Sequence, residues 1–238
     1  MVERSSDAGA RPLSIVPVTG IGEVEAGADI AALLLEHADL HRHDVVVVTQ
    51  KIVSKAEGRR VPTDPPSKED LVLSEATRVL RRRGELFITE TRHGFVCANS
   101  GVDFSNVPEG FALLLPVDPD RSARRIRDRI RAMSGLEIGV IISDTFGRAW
   151  RNGLADVAIG CAGIAAVVDL RGTTDTRGRV LQATQVCIAD EIASAADLVM
   201  GKAFGVPVAV VRGLDEGVFR ESAVAAEVVR QPSEDLFR

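Results

Sequence analysis

Apolar and polar positions along the chain alternate between strand-like and helix-like spacing. "LSIVPV" (13–18) is a short apolar run and reads as a strand, followed by a Gly-rich turn, "GIGEVEAG" (20–27). "ADIAALLLEHA" (28–38) places Ile30, Leu33, Leu34 and Ala38 on one helical face. "DVVVVTQKIVSK" (44–55) opens with four valines, the pattern of a strand covered on both sides. Three prolines make 60–70 a loop, and the spacing predicts a helix over 70–83. Residues 85–103 read as a strand, a turn at His93-Gly94, and a second strand running into a polar loop. "FALLLPVD" (111–118) is a strand, 119–134 a basic helix, and "EIGVIISD" (137–144) a strand that stops at Asp144. The small-residue stretch 153–172 splits best into a helix and then a strand. A turn at 173–181, an Ala-rich helix over 184–203 and a strand at 206–214 complete the pattern. Residues 1–12 read as a loosely held arm, and the end of the chain as a polar tail. Strands and helices alternate only in part, and a hairpin intervenes. The expected fold class is therefore α+β, a mixed sheet with packed helices, rather than a clean doubly wound one.

A chain of 238 residues holds one large domain or two small ones. Hydrophobic content of 45% and charged content of 26% are ordinary for a soluble globular protein. Net charge is −5, and no block of like charge suits a nucleic-acid footprint. The most basic stretch, "RSARRIRDRIR" (121–131), carries Ile126 and Ile130 four apart and reads as a solvated helix face. Cys97, Cys161 and Cys187 are widely spaced, without CxxC or Cys/His clusters, which suits small buried residues in a reducing compartment. The N-terminal stretch has no signal-peptide apolar core. "VAIGCAGIAAVV" (157–168) is too short to span a bilayer, which needs about 20 residues. A cytoplasmic protein with neither nucleic acid nor membrane as a partner is expected.

Chemistry is expected at strand ends, where a rigid core holds polar groups in place. Three loops there stand out: 99–106 with Asp103 and Asn106, 143–148 with Asp144, Thr145 and Arg148, and 169–179 with Arg171. If Asp103 and Asp144 converge, two carboxylates and the Thr145 hydroxyl make an all-oxygen site suited to Mg²⁺ or Mn²⁺. The competing reading has each aspartate capping a helix or a turn. Phosphate donors are scattered. There is no GxxxxGK[ST], and "GIGEVEAG" breaks GxGxxG at Glu25. Lys51, Ser54 and Lys55 follow a buried strand, the two lysines on one helix face, either as a phosphate grip or as a solvated helix start. Arg148, Arg151 and Arg171 offer bidentate donors. His93 is the one histidine beside a polar loop; His37, His41 and His43 read as surface residues, and no GxSxG elbow occurs.

Six segments in order carry a resemblance: "GIGEVEAGADI", "VVVTQKIVSKAEGR", "VCANSGVDFSNV", "ISDTFGRAWRNG", "VDLRGTTDTRGRVLQAT" and "ADEIASAADLVMGKAFGVPVAVVRGL". Together they resemble the coenzyme F420-0:L-glutamate ligases, over about residues 13 to 217. The resemblance implies a ligase domain at 13–217 between the arm 1–12 and a tail or linker, 218–238. In actinobacterial relatives that linker leads to a nitroreductase-like, flavin-binding domain. It implies a two-lobed fold and an intertwined homodimer with nucleotide and metals in a groove at the interface. Asp103, Asp144 and Thr145 match metal ligands for Mg²⁺ or Mn²⁺, with K⁺ as a further candidate cation. Ile21, Gly22, Glu23, Val24, Gln50, Lys55, Asn106 and the run Met200, Gly201, Lys202, Ala203, Phe204, Gly205, Val206, Pro207 match positions holding GTP. Lys202 departs from archaeal relatives that place Gln there as a ligand of a second metal. Gln50 stands where relatives often have Ser.

The implied reaction phosphorylates the terminal carboxylate of coenzyme F420-0 with GTP. The amine of L-glutamate then attacks the acyl phosphate, and further rounds extend a γ-linked tail. Arg148 and Arg151 are candidates for gripping the anionic arm or the glutamate, or else for pairing with the aspartates. His93 or Glu90 is a candidate base. Two other readings stand beside this one: a metal-dependent ligase for another carboxylate, and a non-catalytic module that presents the deazaflavin to a partner reductase.

Overall fold

The computed structural model describes residues 12–235; the expectation for the N-terminal arm lies almost entirely outside them. The run of four valines forms the centre of the fold. From N to C, β1 (Ser14–Val18) is followed by α1 (Ile30–His37), which Asp29 caps by accepting from the Ala32 amide at 3.1 Å. Next come β2 (Val45–Thr49) and α2 (Gln50–Ala56), then β3 (Arg60–Pro62) and α3 (Lys68–Glu75). Strands β4 (Ala76–Arg83), β5 (Leu86–Thr91), β6 (Val96–Ala98) and β7 (Phe111–Leu113) precede α4 (Pro119–Ser134). The long strands β8 (Gly139–Arg148) and β9 (Arg151–Ala162) are followed by the short pair β10 (Val168–Asp169) and β11 (Gln185–Val186). Helix α5 (Ile188–Met200), β12 (Val208–Arg212) and α6 (Val224–Glu227) complete the order.

The main sheet has the order β1-β12-β2-β8-β9, with β2 and β8 parallel and the other pairs antiparallel. Val45 to Val48 are completely buried in its middle. The mixed α+β reading therefore holds. Helix α5 presents Ala189, Ala193 and Ala196, all fully buried, so its backbone approaches the sheet closely. A second, smaller core gathers Leu71, Val72, Phe87, Val102, Ala112 and Leu114 beneath the β4-β5-β6 sheet and the β3-β7 pair.

Several expectations change. The helix predicted over 70–83 starts earlier and stops at Glu75, and Ala76–Arg83 is strand β4, paired with β5. A reciprocal Ser67/Asp70 capping box fixes the helix start, while β-branched Thr77 and Val79 suit the extended chain beyond. The helix predicted within 153–172 is instead the long strand β9. Its small residues are there for approach, not helicity: a Cβ on Gly160 would lie 2.4–2.5 Å from the Pro119 carbonyl at the start of α4. The strand of 137–144 does not end at Asp144. It runs on to Arg148 and turns back as β9, so the expected loop at 143–148 is one arm of a hairpin. The strand predicted over 111–118 is limited to Phe111–Leu113.

The expected hairpin turn and basic helix hold. The turn at His93-Gly94 separates β5 from β6, with Gly94 at φ +83°. Helix α4 spans 119–134, capped by Asp118 and ended by Gly135 at φ +75°. Its arginines are exposed except Arg127, which is buried and paired with Asp128 and Glu221. The stretch 218–235, expected as a tail or linker, packs on the main core. Buried Asp120 accepts the amides of Cys161 (2.8 Å), Val224 (2.8 Å) and Ala225 (3.0 Å), and Val224 is fully buried. The three cysteines are free thiols; burial first of all pushes each up to about 12. Among the described residues no helix is long and apolar enough to cross a membrane.

Candidate functional site

A cavity of about 470 Å³ opens where five chain segments meet. The turn after β1 gives Ile21, Gly22 and Glu23, and the β2–α2 junction gives Thr49, Lys51, Ile52 and Lys55. The end of α5 and the approach to β12 give Asp197, Met200, Gly201, Lys202, Gly205, Val206 and Pro207; Asn106 and Asp156 close the wall. The β2–α2 junction lies at the carboxyl end of a central strand, where a rigid sheet exposes the side chains of the following turn.

Three lysines face this space, and each is held by carboxylate. Lys51 Nζ lies 2.8 Å from Asp103, Lys55 Nζ 2.6 Å from Glu23, and Lys202 Nζ 2.9 Å from Asp156 and 3.6 Å from Asp197. Burial pushes the Asp103 carboxyl up, but the hydrogen bonds from Lys51 and Ser105 outweigh it and hold Asp103 below its ordinary value. Asp144 behaves oppositely. Burial first, then repulsion from Asp103 and Asp156, raise it to about 7, against the Thr145 amide and Lys202, which favour the anion. Asp103 and Asp144, 41 positions apart in sequence, thus come within electrostatic reach of each other.

The hairpin explains how Asp144 and its neighbours are aimed. Between Ile142 and Ser143 the β8–β9 register slips, with Ile142 opposite Gly160 and Ser143 opposite Ala158. Such a bulge redirects the strand beside it. Beyond it Thr145 lies opposite Asp156, donating to Asp156 Oδ1 at 2.6 Å, while Ser143 donates to Oδ2 at 3.0 Å.

Among the described residues no group of three or more His, Cys, Asp or Glu side chains is gathered for a metal ion. Asp103 and Asp144 nevertheless fit a hard divalent cation. They are oxygen donors, and the raised Asp144 marks a place short of positive charge. Two carboxylates leave most coordination positions to water and phosphate, as Mg²⁺ prefers. The Thr145 hydroxyl here donates to Asp156 and accepts from Lys202.

Of the residues expected to hold nucleotide, Ile21, Gly22, Glu23, Lys55, Asn106, Met200, Gly201, Lys202, Gly205, Val206 and Pro207 line the cavity. Val24 is buried in the main core. Gln50 is completely buried; it accepts from Ser54 Oγ at 2.9 Å, and its amide nitrogen has no partner among the described residues. Ala203 and Phe204 are exposed beside the cavity, the Phe204 ring folded over Gly201. Arg148 and Arg151 sit at the exposed end of the hairpin, where Arg148 donates to the Asn152 carbonyl at 3.1 Å; neither lines the cavity. His93 also lies off it. Its Nε2 meets the Pro116 and Val117 carbonyls at 3.0 and 3.1 Å, its ring stacks on Phe95, and burial lowers its pKa. Glu90 pairs with Arg78 at 3.2 Å, and exposed Arg171 pairs with Asp169.

Sequence reasoning missed Thr49, Asp156 and Asp197. Asp156 had a signal, as a lone carboxylate in an otherwise apolar or small-residue stretch, "GLADVAIGCA". Asp197 carried no more than its place among alanines in α5.

The family described as F420-0:Gamma-glutamyl ligase matches residues 20–213, a span that contains every segment of this cavity. The chain is 41% identical to the coenzyme F420:L-glutamate ligase of Methanopyrus kandleri, over 97% of this chain and 99% of the relative. It is 39% identical to the protein of the same name from Methanothermobacter thermautotrophicus, over 95% and 99%. With that of Archaeoglobus fulgidus it shares 39%, over 95% and 96%. A mixed-sheet α+β protein with a charged cavity at its sheet ends is thus placed within a class of ligases. The chain belongs to the F420-0:gamma-glutamyl ligase family.

Proposed function

We propose that this chain joins L-glutamate to coenzyme F420-0 at the expense of GTP, and then extends a γ-linked glutamate tail. The observation that carries the reading is the set of three lysine–carboxylate pairs around one cavity. Alone, these charges compensate one another. A ligand made of a polyphosphate and a cation can exchange with them pairwise, phosphate oxygens taking ammonium groups and the cation taking carboxylates. Neither sign of charge is then left unpaired in a partly buried site.

Condensing a carboxylate with an amine requires an activated carboxylate, and phosphoryl transfer supplies it. The transfer needs positioning and charge neutralisation more than a protein nucleophile. Lys51 and Lys55 would bind phosphate oxygens, and the backbone at Gly22 and Gly205 lets the nucleotide approach closely. Asp103 and Asp144 would hold Mg²⁺ or Mn²⁺, which when bound polarises the transferring phosphoryl group. The substrate carboxylate attacks the γ-phosphorus, GDP leaves, and the glutamate amine displaces phosphate from the acyl phosphate.

The same reading includes the two-lobed fold, with the smaller core as its second lobe, and a homodimer. The hairpin end supports the dimer: Trp150 is 84% and Leu154 68% exposed there, between and beside Arg148 and Arg151. Those arginines would serve the groove of the partner copy rather than their own. Light scattering should give the mass of two chains.

The deciding experiment incubates the protein with F420-0, L-glutamate, GTP and Mn²⁺ and follows the deazaflavin by mass spectrometry. Successive additions of glutamyl residues with matching GDP release are expected. No mass increment at any metal concentration sinks the ligase reading, and increments without GDP sink its use of GTP.

A further inference from the structure

The structure assigns Lys202 a role as a tethered cation: its ammonium fills the oxygen cluster of Thr145, Asp156 and Asp197 and keeps a divalent ion out of it. Nζ donates to Asp156 Oδ1 at 2.9 Å and to Thr145 Oγ1, with Asp197 Oδ1 at 3.6 Å. Thr145 in turn donates to the same Asp156 oxygen, and Ser143 to the other. Lys202 is therefore the group that brings positive charge to a carboxylate that is only 3% exposed. Gly201 makes the placement possible. At φ +57° it turns the chain sharply after α5, and the next residue points back to the cavity wall.

A buried carboxylate needs a compensating cation, since burial strips an isolated ion of its hydration. Two solutions exist, an exchangeable divalent ion or a covalently attached ammonium. The ammonium is always present, cannot be removed by chelators, and has one N–H donor left for a phosphate oxygen. It is also a poor neighbour for a second cation. With Lys202 in place, the Asp156 and Thr145 oxygens that face the cavity already meet an ammonium, with Asp197 beside it, and Asp103 with Asp144 are left to hold a single divalent ion. Lys202 is thus a positioning residue that sets how many metal ions the site takes. The inference rests on the cavity being a phosphate and cation site, but its test does not require nucleotide.

Free Mn²⁺ is titrated into the full chain and counted by its electron paramagnetic resonance signal, without nucleotide. Lys202→Gln should bind one more Mn²⁺ per chain than the unchanged protein, and Lys202→Arg should keep the unchanged count. Adding Asp197→Asn to Lys202→Gln should weaken the extra ion at least tenfold. Asp197→Asn alone should leave the unchanged protein's count as it was. This arm needs no change at Lys202, so it decides the matter even if Lys202→Gln does not fold. Equal counts for the unchanged protein and a folded Lys202→Gln would overturn the role, as would loss of an ion from Asp197→Asn alone. A parallel GDP titration of the unchanged protein separates the two readings: absent GDP binding with the extra ion present removes the nucleotide reading and leaves this one standing.

Discussion

Asp144→Asn, measured without metal, tests the electrostatics of the site most directly. Folded Asp144 titrates near 7 instead of the ordinary 3.8, mainly because it is buried and then because Asp103 and Asp156 repel it. The difference is roughly three pH units, which at about 1.4 kcal/mol each amounts to about 4 kcal/mol. The side chain retains some contact with solvent, so this is an upper bound, and about 2 kcal/mol is the working figure. The sign follows from proton counting. Below about pH 4 the group is protonated folded and unfolded, and it contributes no difference. Between about pH 4 and pH 7 the folded chain keeps a proton that the unfolded chain has released, so stability falls as pH rises. Above pH 7 the full penalty is present. Asparagine never ionises, and its side-chain oxygen still accepts the Thr145 amide. At pH 8 in EDTA the variant should melt higher than the unchanged protein, by roughly 4–8 °C for a chain of this size. The gap should close toward pH 4. A gap equally large at pH 4 would assign the effect to packing, and no gap at pH 8 would refute the charged, cation-deficient reading of Asp144.

Lys55→Ala removes a charge-assisted phosphate donor and should weaken GDP binding by about 1.5–3 kcal/mol, roughly 10- to 100-fold by calorimetry; unchanged affinity would take Lys55 out of the phosphate site. Asp120→Ala leaves two buried amides and one half-buried amide without acceptors and should lower stability by about 3 kcal/mol in urea unfolding. The loosened contact should also speed amide exchange around Val224, and native exchange there would contradict the assigned role. Gly160→Ala drives a methyl group to within 2.4–2.7 Å of the backbone of Pro119 and Asp120. It should destabilise by several kcal/mol, and a melting point within a degree of the unchanged protein would mean that α4 can withdraw from β9.

Legibility along the chain tracks how local the determining physics is. Helix α4 was readable to its ends because its signals sit in the sequence itself: Asp118 as cap, Pro119 at the first turn, Gly135 as stop. The four valines of β2 were readable because burial on both faces leaves no polar alternation. The stretch 151–162 was not. Its alanines favour a helix and its glycines favour neither regular form, and what makes it a strand is pairing with β8 and the approach of α4 over Gly160. Residues 76–83 failed for a similar reason. Arginines at Arg78, Arg81, Arg82 and Arg83 suit an exposed helix face, but Thr91 through Leu86 on β5 supply the partner strand.

The site shows the same division at the level of single atoms. The family resemblance brought Glu23, Asn106 and most of the 200–207 turn to the cavity wall, and Lys55 was also legible from its place after a buried strand. Neither signal could say which oxygen takes which cation. Thr145 reads as a metal ligand beside Asp144, yet neighbouring residues on a strand face opposite ways, and Thr145 turns with Ser143 toward Asp156. That choice depends on the register slip at Ile142/Ser143, which no local motif encodes. Once Asp156 is on the cavity wall, the ammonium of Lys202 becomes its counter-charge, and on the proposed role of Lys202 the remaining carboxylates are left for a cation. Asp103, already paired with Lys51, and Asp144, short of positive charge, are then the pair on which a single divalent ion would release a lysine for phosphate and stabilise the Asp144 anion at once.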